Sequence, residues 1–367
     1  MLDKALKFIQ TINENGYEAY IIGGFVRDHL LGIESNDIDI CTNAKPSDIR
    51  EIFKENCMPN DDYGSVVVNV QNTQYEVTTY RKEISYINNR KPLEYEYIND
   101  LSEDLKRRDF TINTICMDKD GNIIDLLNGK DDLVKREINT VGDSETKFSE
   151  DSLRILRAVR FATQLDFRLS EDVKESILKT KHLLKSLSME RKKEELNKIF
   201  TSTHINYGIR LLLELGLDEE LELSNLKKLN KYDDLMSIWA LLNVDDIYPF
   251  TKNEKDMMDD IRKVLELDNL DSMTLYKYGL YVNSVAGGIK GLDKKQIAYK
   301  YENLPIKDRN EINITGEDIM RVLNIEPGKM IKDVLDDIEE SIIMGKLENN
   351  TDSIIEYIVN KYISTLN

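Results

Sequence analysis

Asp37 and Asp39 stand two residues apart in the segment NDIDICT, and the glycine pair Gly23-Gly24 precedes them with Arg27 and Asp28 in between. Side chains two apart on a strand point the same way, so the spacing puts both carboxylates on one side and Ile38 and Ile40 on the other. Two carboxylates side by side repel each other. A divalent cation between them relieves that repulsion, and oxygen-only donors favour Mg²⁺ over zinc. Paired glycines at a strand-to-helix turn let backbone N–H groups approach a phosphate at a helix N-terminus, which already favours negative charge. Acid pair and phosphate cradle together point to phosphoryl or nucleotidyl transfer. Either one alone serves equally well as a turn or as the solvated face of an edge strand; their joint occurrence favours chemistry.

The elements that position these groups follow from pattern. Tyr17 to Ile22 reads as a strand, FVRDHLLG as a short helix stopped by Gly32, and a second strand then carries Asp37 and Asp39. Ser47 is placed to cap a short helix, with Pro46 just ahead of it. SVVVNV and YEVTTYR are β-branched and aromatic strands, and Glu76 in the second offers either a third metal ligand or a surface acid. Lys82 to Asn99 lacks clean periodicity and reads as a long loop. Asp104 to Asp118 reads as a helix with Phe110, Ile112, Ile115 and Met117 inward and Arg107, Arg108 and Asp109 at its start. Arginine forks onto phosphate oxygens and a carboxylate accepts from a ribose hydroxyl, so this start suits a nucleotide, or else an internal salt bridge. The α/β pattern closes near Val141-Gly142.

FSEDSLRILRAVRFATQLDF then reads as one helix capped by Ser149, with Glu150 and Asp151 in its first turn and Leu153, Leu156, Val159 and Phe161 toward a core. Arg154, Arg157 and Arg160 recur every three residues along one face, and Asp151 begins the row. Cytosine and adenine each present an amino donor beside a ring-nitrogen acceptor. Asp151 accepting and Arg154 donating would read that edge and reject uracil and guanine; a plain i,i+3 ion pair is the competing role. From Ser170 onward the chain is helical by period, ending in a helix from Ser353 to Thr365, with no fixed repeat.

At 367 residues the chain is long enough for two or three cores, and no stretch is apolar enough to span a membrane. The N-terminal MLDKALKFIQTINENG reads as an amphipathic helix rather than a signal peptide, which with three scattered cysteines, Cys41, Cys57 and Cys116, gives a cytoplasmic expectation. Three unpaired histidines argue against a histidine-based metal hydrolase. A net charge of −18 argues against a nucleic-acid partner at first sight, but Lys106-Arg107-Arg108, the Arg154 row and Arg191-Lys192-Lys193 form basic islands that could hold one locally.

With these residues placed, the chain resembles the class II tRNA nucleotidyltransferases, the CCA-adding enzymes of the polymerase-β superfamily, and the related bacterial poly(A) polymerases. GGFVRDHLLG with DIDICT resembles that family's metal and triphosphate motif, RRDFTIN its ribose motif, DLLNGKDDLVKREINTVG its hinge and EDSLRILRAVRF its amino-acid template; MERKKEELNKI resembles the neck helix. ITGEDIM, PGKMIKDVL and GKLENN resemble the tail of the shorter bacterial members without an HD domain.

The resemblance implies an α+β protein with a nucleotidyltransferase α/β head over 1–142, a helical neck over 143–200, a helical body over 201–307 and a helical, tRNA-binding tail over 308–367. It implies Mg²⁺ on Asp37 and Asp39, with Glu76 a further candidate. Gly23, Gly24 and Arg27 would take the triphosphate, and Arg108, Asp109 and Asn113 the phosphate and ribose. Asp151, Arg154, Arg157 and Arg160 would take the base and neighbouring groups. The partners implied are tRNA, CTP and ATP, with a monomer or homodimer and no membrane. The loop Lys82–Asn99 resembles one that full CCA-adding and A-adding enzymes possess and CC-adding enzymes lack. Asn88 stands where the family usually has an acid, and Lys91 and Asn139 stand where it has arginines, all bearing on the step from C to A. Addition of A alone or of CC alone, poly(A) synthesis and an inactive RNA-binding scaffold remain as alternatives.

Overall fold

The computed structural model describes residues 1–62, 64–87 and 91–363, and the chain divides into two compact units, Met1–Leu226 and a second from Lys227 onward. In the first, α1 (Leu2–Glu14) buries Ala5, Phe8, Ile9 and Ile12 and leads into β1 (Ala19–Ile22). Gly23, at φ 80°, turns the chain into α2 (Gly24–Leu31), which Gly32 closes in the left-handed conformation. Strand β2 (Ile38–Thr42) buries Ile38 and Ile40 and carries Asp39 on the other side; Asp37 sits one residue ahead of it. Helix α3 (Pro46–Phe53) starts two residues earlier than a Ser47 cap would place it, with Lys45 as its N-cap. Pro46 occupies the first helical position, where its missing N–H costs nothing, and the Lys45 N–H is taken by the Asp48 carboxylate at 2.9 Å.

Strands β3 (Cys57–Asp62), β4 (Ser65–Val70) and β5 (Thr73–Thr79) follow. The stretch read as a loop over Lys82–Asn99 is instead an antiparallel hairpin, β6 (Arg81–Ile87) and β7 (Lys91–Tyr97), a sheet of its own. Polar and aromatic residues on both faces of this ribbon remove the one-sided apolar signal by which a strand is recognised. The Asp104–Asp118 helix is also corrected. Helix α4 (Leu101–Lys106) ends before Arg107, and Phe110 is extended, because Thr111 N–H donates to Asn139 C=O and Val141 N–H to Asp109 C=O. A short 3₁₀ turn and β8 (Cys116–Met117) come next, with Phe110, Ile112, Ile115 and Met117 all buried. With β9 (Ile123–Ile124) the main sheet is complete in the order β3-β4-β5-β2-β1-β8-β9, with β2 and β5 parallel and its other neighbours antiparallel.

After α5 (Gly129–Lys135) and β10 (Glu137–Ile138), the single helix read from Ser149 is two: α6 (Ser144–Glu150) and α7 (Leu153–Leu165). Asp151 lies between them in extended conformation and its Oδ1 accepts from Leu153 N–H at 3.0 Å, an aspartate turn competing with the helix. Leu153, Leu156, Val159 and Phe161 are buried. Then β11 (Arg168–Leu169) pairs in parallel with β10, and α8 (Glu171–Thr180), α9 (Met189–Phe200), α10 (Ile205–Glu214) and α11 (Leu217–Glu220) finish the unit.

The second unit is helical: α12 (Leu235–Leu242), α13 (Lys252–Glu266), α14 (Ser272–Ile289), α15 (Lys294–Glu302), α16 (Gly316–Leu323), α17 (Lys329–Ile343) and α18 (Thr351–Ile358). Part of its core is isoleucine-rich, built around Ile319, Ile338, Ile342, Ile354 and Ile358. Thr365, at the end of the last expected helix, lies outside the described residues. Among the described residues no helix is long and apolar enough to cross a membrane, and all three cysteines are free.

Candidate active site

The site residues picked out above line one cleft of about 1070 Å³ in the first unit. At one end, β2 and β5 run parallel with Asp39 opposite Glu76, while β1 delivers Gly23 at its end. A Cβ on Gly23 would come 3.3 Å from Asp39 Oδ2, so only glycine lets the turn lie against this carboxylate. Burial first, then the charges of Glu76 and Asp37, push the Asp39 carboxyl up to about 6, with Arg108 and Arg157 opposing. Among the described residues neither the Asp37 nor the Asp39 side chain takes a hydrogen bond or an ion pair, and no group of three or more His, Cys, Asp and Glu side chains is gathered to hold a metal. Two hard oxygen donors with an uncompensated charge suit a cation that completes its shell with substrate phosphates and water. Beside them, α2 begins without a side-chain cap, leaving its first backbone N–H groups toward the cleft.

Along the cleft nearly every cation is held by an acid. Arg27 donates from Nε to Asp28 Oδ1 and from Nη1 to Asn113 Oδ1, each at 2.8 Å. Asp109 accepts from Arg157 Nε at 2.6 Å and from Phe110 N–H at 2.8 Å; although burial opposes it, Arg157 holds the carboxyl down at about 2. Arg108 donates to Asp104 Oδ2 at 3.2 Å. Arg160 pairs with Glu195 at 3.2 Å, and burial followed by repulsion from Arg157 lowers it to about 10.

The segment between α6 and α7, with α7 and α9, lines the other side of the site. Arg154 donates to Glu150 Oε2 at 2.6 Å, to Lys147 C=O at 3.0 Å and, through Nη2, to Arg107 C=O at 3.0 Å, which ties α7 to the segment carrying Arg108 and Asp109. Asp151 faces Arg191 at 3.7 Å, and burial raises its carboxyl above the usual range. The arginines of the basic islands are therefore cleft walls rather than an open patch, with Arg107, Arg108, Arg154 and Arg160 largely buried; Lys106 is exposed and Lys192 is buried, and neither lines the cleft. Asn139 Nδ2 donates to Asp132 Oδ1 at 2.9 Å. Asn88 lies outside the described residues, and Lys91 is described in its backbone only.

Three further participants were not singled out as site residues from the sequence. Asp104 is fully buried and gathers Arg81 N–H at 3.1 Å, Arg107 Nε at 2.8 Å and Arg108. Glu83 on β6 pairs with Arg81 at 3.3 Å and with Arg107 at 3.9 Å, joining the hairpin to the site. Phe161, a core residue by period, also lines the cleft. An acid three and four residues before two arginines is the one sequence trace of Asp104.

An acid pair at the start of a strand, a glycine turn into a helix and an arginine-lined cleft shared with helices α7 and α9 define a nucleotidyltransferase. Residues 19–139 match the poly A polymerase head domain, 166–224 the probable RNA and SrmB-binding site of polymerase A, and 248–358 the putative tRNA nucleotidyltransferase domain 2. The CCA-adding enzyme of Bacillus subtilis is 35% identical, covering 97% of each chain, and that of Ligilactobacillus salivarius is 34% identical, covering 96% of this chain and 95% of its own. A crystal structure of the Bacillus stearothermophilus CCA-adding enzyme in complex with CTP is 29% identical, with a TM-score of 0.89 over 99% of this chain and 98% of that one. The chain belongs to the CCA-adding enzymes, a family in which dependence on a divalent metal is general.

Proposed function

We propose that this chain adds C, C and A to the 3′ end of tRNA without a nucleic-acid template, using CTP and ATP and releasing pyrophosphate. The convergence of the acid pair, the Gly23-Gly24 turn, the Arg108-Asp109 segment and the Asp151/Arg154 pair on one cleft supports this reading, in a chain about as long as its CCA-adding relatives. In it the head is 1–142, the neck 143–200, the body 201–307 and the tail 308–367, and the setting is cytoplasmic.

Asp37 and Asp39 would hold Mg²⁺, which when bound lowers the pKa of the attacking hydroxyl and offsets charge on the phosphates. The residues of the chain then divide the remaining work. The N-terminus of α2 at Gly24, together with Arg27, receives the triphosphate. Arg108 donates to phosphate, and Asp109, with Asn113 beside it at 3.4 Å, accepts from the ribose. Asp151 accepts from the exocyclic amine of cytosine or adenine while Arg154 donates to the ring nitrogen. Uracil and guanine would leave unpaired groups on both sides in a largely buried site, a penalty of a few kcal/mol. Arg157 and Arg160, each paired with an acid, line the cleft beside these groups.

The test is incubation with tRNAs lacking CCA, CA or A, each nucleotide supplied separately, followed by sequencing of the products. Stepwise C, C, A addition is expected. Growth of A tails on unrelated RNAs would assign a poly(A) polymerase, and products stopping at CC, or formed only from tRNA ending in CC, would assign a partial enzyme.

A further inference from the structure

Three guanidinium groups surround one aromatic ring in the cleft. Arg160 Cζ lies 4.2 Å from the Phe161 ring centroid, Arg27 Cζ 5.2 Å and Arg157 Cζ 5.3 Å, all within cation–π range. These arginines come from two helices, α2 and α7, and each has its own acid: Asp28, Glu195 and Asp109. Each acid serves one arginine, whereas the ring is within reach of all three cations. Phe161 also makes an edge contact to Phe110, with centroids 5.6 Å apart, and is buried at 7% exposure while lining the cleft.

Like charges this close repel, and water between them would screen the repulsion but also leave the side chains free to swing. A phenyl ring excludes that water and offers each cation an attractive π face, so the three are held at a fixed spacing before any ligand arrives. We propose that Phe161 is a positioning residue for the polyphosphate of the nucleotide, acting through Arg27, Arg157 and Arg160 rather than touching substrate. This rests on the nucleotidyltransferase reading above. Its ligand is the pyrophosphate moiety shared by CTP and ATP, so its effect is the same for both bases.

Two variants separate the ring's π face from its bulk. Phe161→Met keeps most of the apolar volume without the face, and Phe161→Tyr keeps the face. In the full-length protein, Phe161→Met is expected to raise KM for CTP and for ATP, and the inhibition constant of inorganic pyrophosphate, each about five- to tenfold, with kcat within about twofold of wild type; Phe161→Tyr is expected to restore all three. Calorimetric titration with pyrophosphate alone reads the same change in Kd without turnover. A lowered melting temperature with unchanged KM and unchanged pyrophosphate binding in Phe161→Met would overturn the proposal and leave the ring as core packing. A selective loss for one nucleotide would also overturn it, moving the ring's action to the base. Should wild type incorporate neither nucleotide, the parent reading fails, and the pyrophosphate titration still decides the ring's role.

Discussion

Asp104→Asn removes one charge and almost no volume, and its consequence can be worked from geometry. The wild-type carboxylate is fully buried and accepts from Arg81 N–H, Arg107 Nε and Arg108 Nη2, while the two arginine side chains are only 14% and 17% exposed. Burial alone would raise the Asp104 carboxyl; Arg108 and Arg107 outweigh it and hold it below the usual range. An asparagine still offers one oxygen, but it turns an N–H₂ toward a guanidinium and leaves two buried cations without their shared anion. Breaking a buried pair from one side costs about 3–5 kcal/mol. For a unit of the size of Met1–Leu226 that corresponds to a melting temperature lower by about 6–20 °C, read by scanning calorimetry at neutral pH. Because Arg108 loses its tether and Arg107 C=O is the acceptor for Arg154, KM for both nucleotides should rise in the fraction that stays folded. A drop of less than about 2 °C with normal KM would refute the reasoning, since it would mean that Glu83 and solvent suffice to compensate both arginines.

Three further outcomes follow from the same geometry. Asp37→Ala should abolish nucleotide incorporation yet leave the melting temperature within about 2 °C of wild type, since an exposed acid without a partner supports little structure; near-normal turnover would remove Asp37 from the metal site. Asp151→Ala should blur the choice of C and A over U and G more than it weakens triphosphate binding, as measured by misincorporation against pyrophosphate inhibition, and undiminished selectivity would end the base-reading role. Asp109, held at about 2 by Arg157, has a depressed carboxyl, so its contribution is present above the ordinary carboxylate range and lost as pH falls through the folded value. Asp109→Asn should therefore cost about 2 kcal/mol at pH 7 in denaturant titrations, with the gap to wild type narrowing as pH falls from about 4 toward 2; a gap independent of pH would rule out charge as its origin.

What could be read without coordinates was set by whether the determining forces were local. Gly32 closes α2, and β4 and β5 bury alternate valines and tyrosine, because a left-handed cap and a two-residue alternation are written into neighbouring residues. The misreadings lie where distant partners decide. Asp109 to Thr111 is extended because its backbone groups pair with Asn139 to Val141, some thirty residues on, which no local period reveals. The break between α6 and α7 is hidden for a different reason: Glu150 and Arg154 form an i,i+4 ion pair across it, the very signal that suggests an unbroken helix. At the site, the acid pair and the arginines were legible from type and spacing. Asp104 and Phe161 were not, since a lone acid before arginines and an aromatic at a core position look the same whether or not three partners converge on them.

The charge arrangement reconciles an acidic chain with a polyanionic substrate. Arg27, Arg108, Arg157 and Arg160 each sit against a carboxylate, so the wall is close to neutral although it is dense in oriented N–H donors. At Asp37, Asp39 and Glu76 the cleft instead gathers negative charge, which with burial raises the Asp39 carboxyl against the pull of Arg108 and Arg157. A free polyanion gains little from such a cleft by long-range attraction. On the proposed reading a triphosphate that arrived with its divalent cation would meet a different situation: Asp37 and Asp39 would hold the cation, and the phosphates would meet arginine donors already positioned by their paired carboxylates and by Phe161. On that reading recognition would depend on preorganised hydrogen bonds and on metal and nucleotide together rather than on net charge. The total of −18 imposes no contradiction, because it is carried elsewhere and is screened within about 10 Å at ordinary ionic strength.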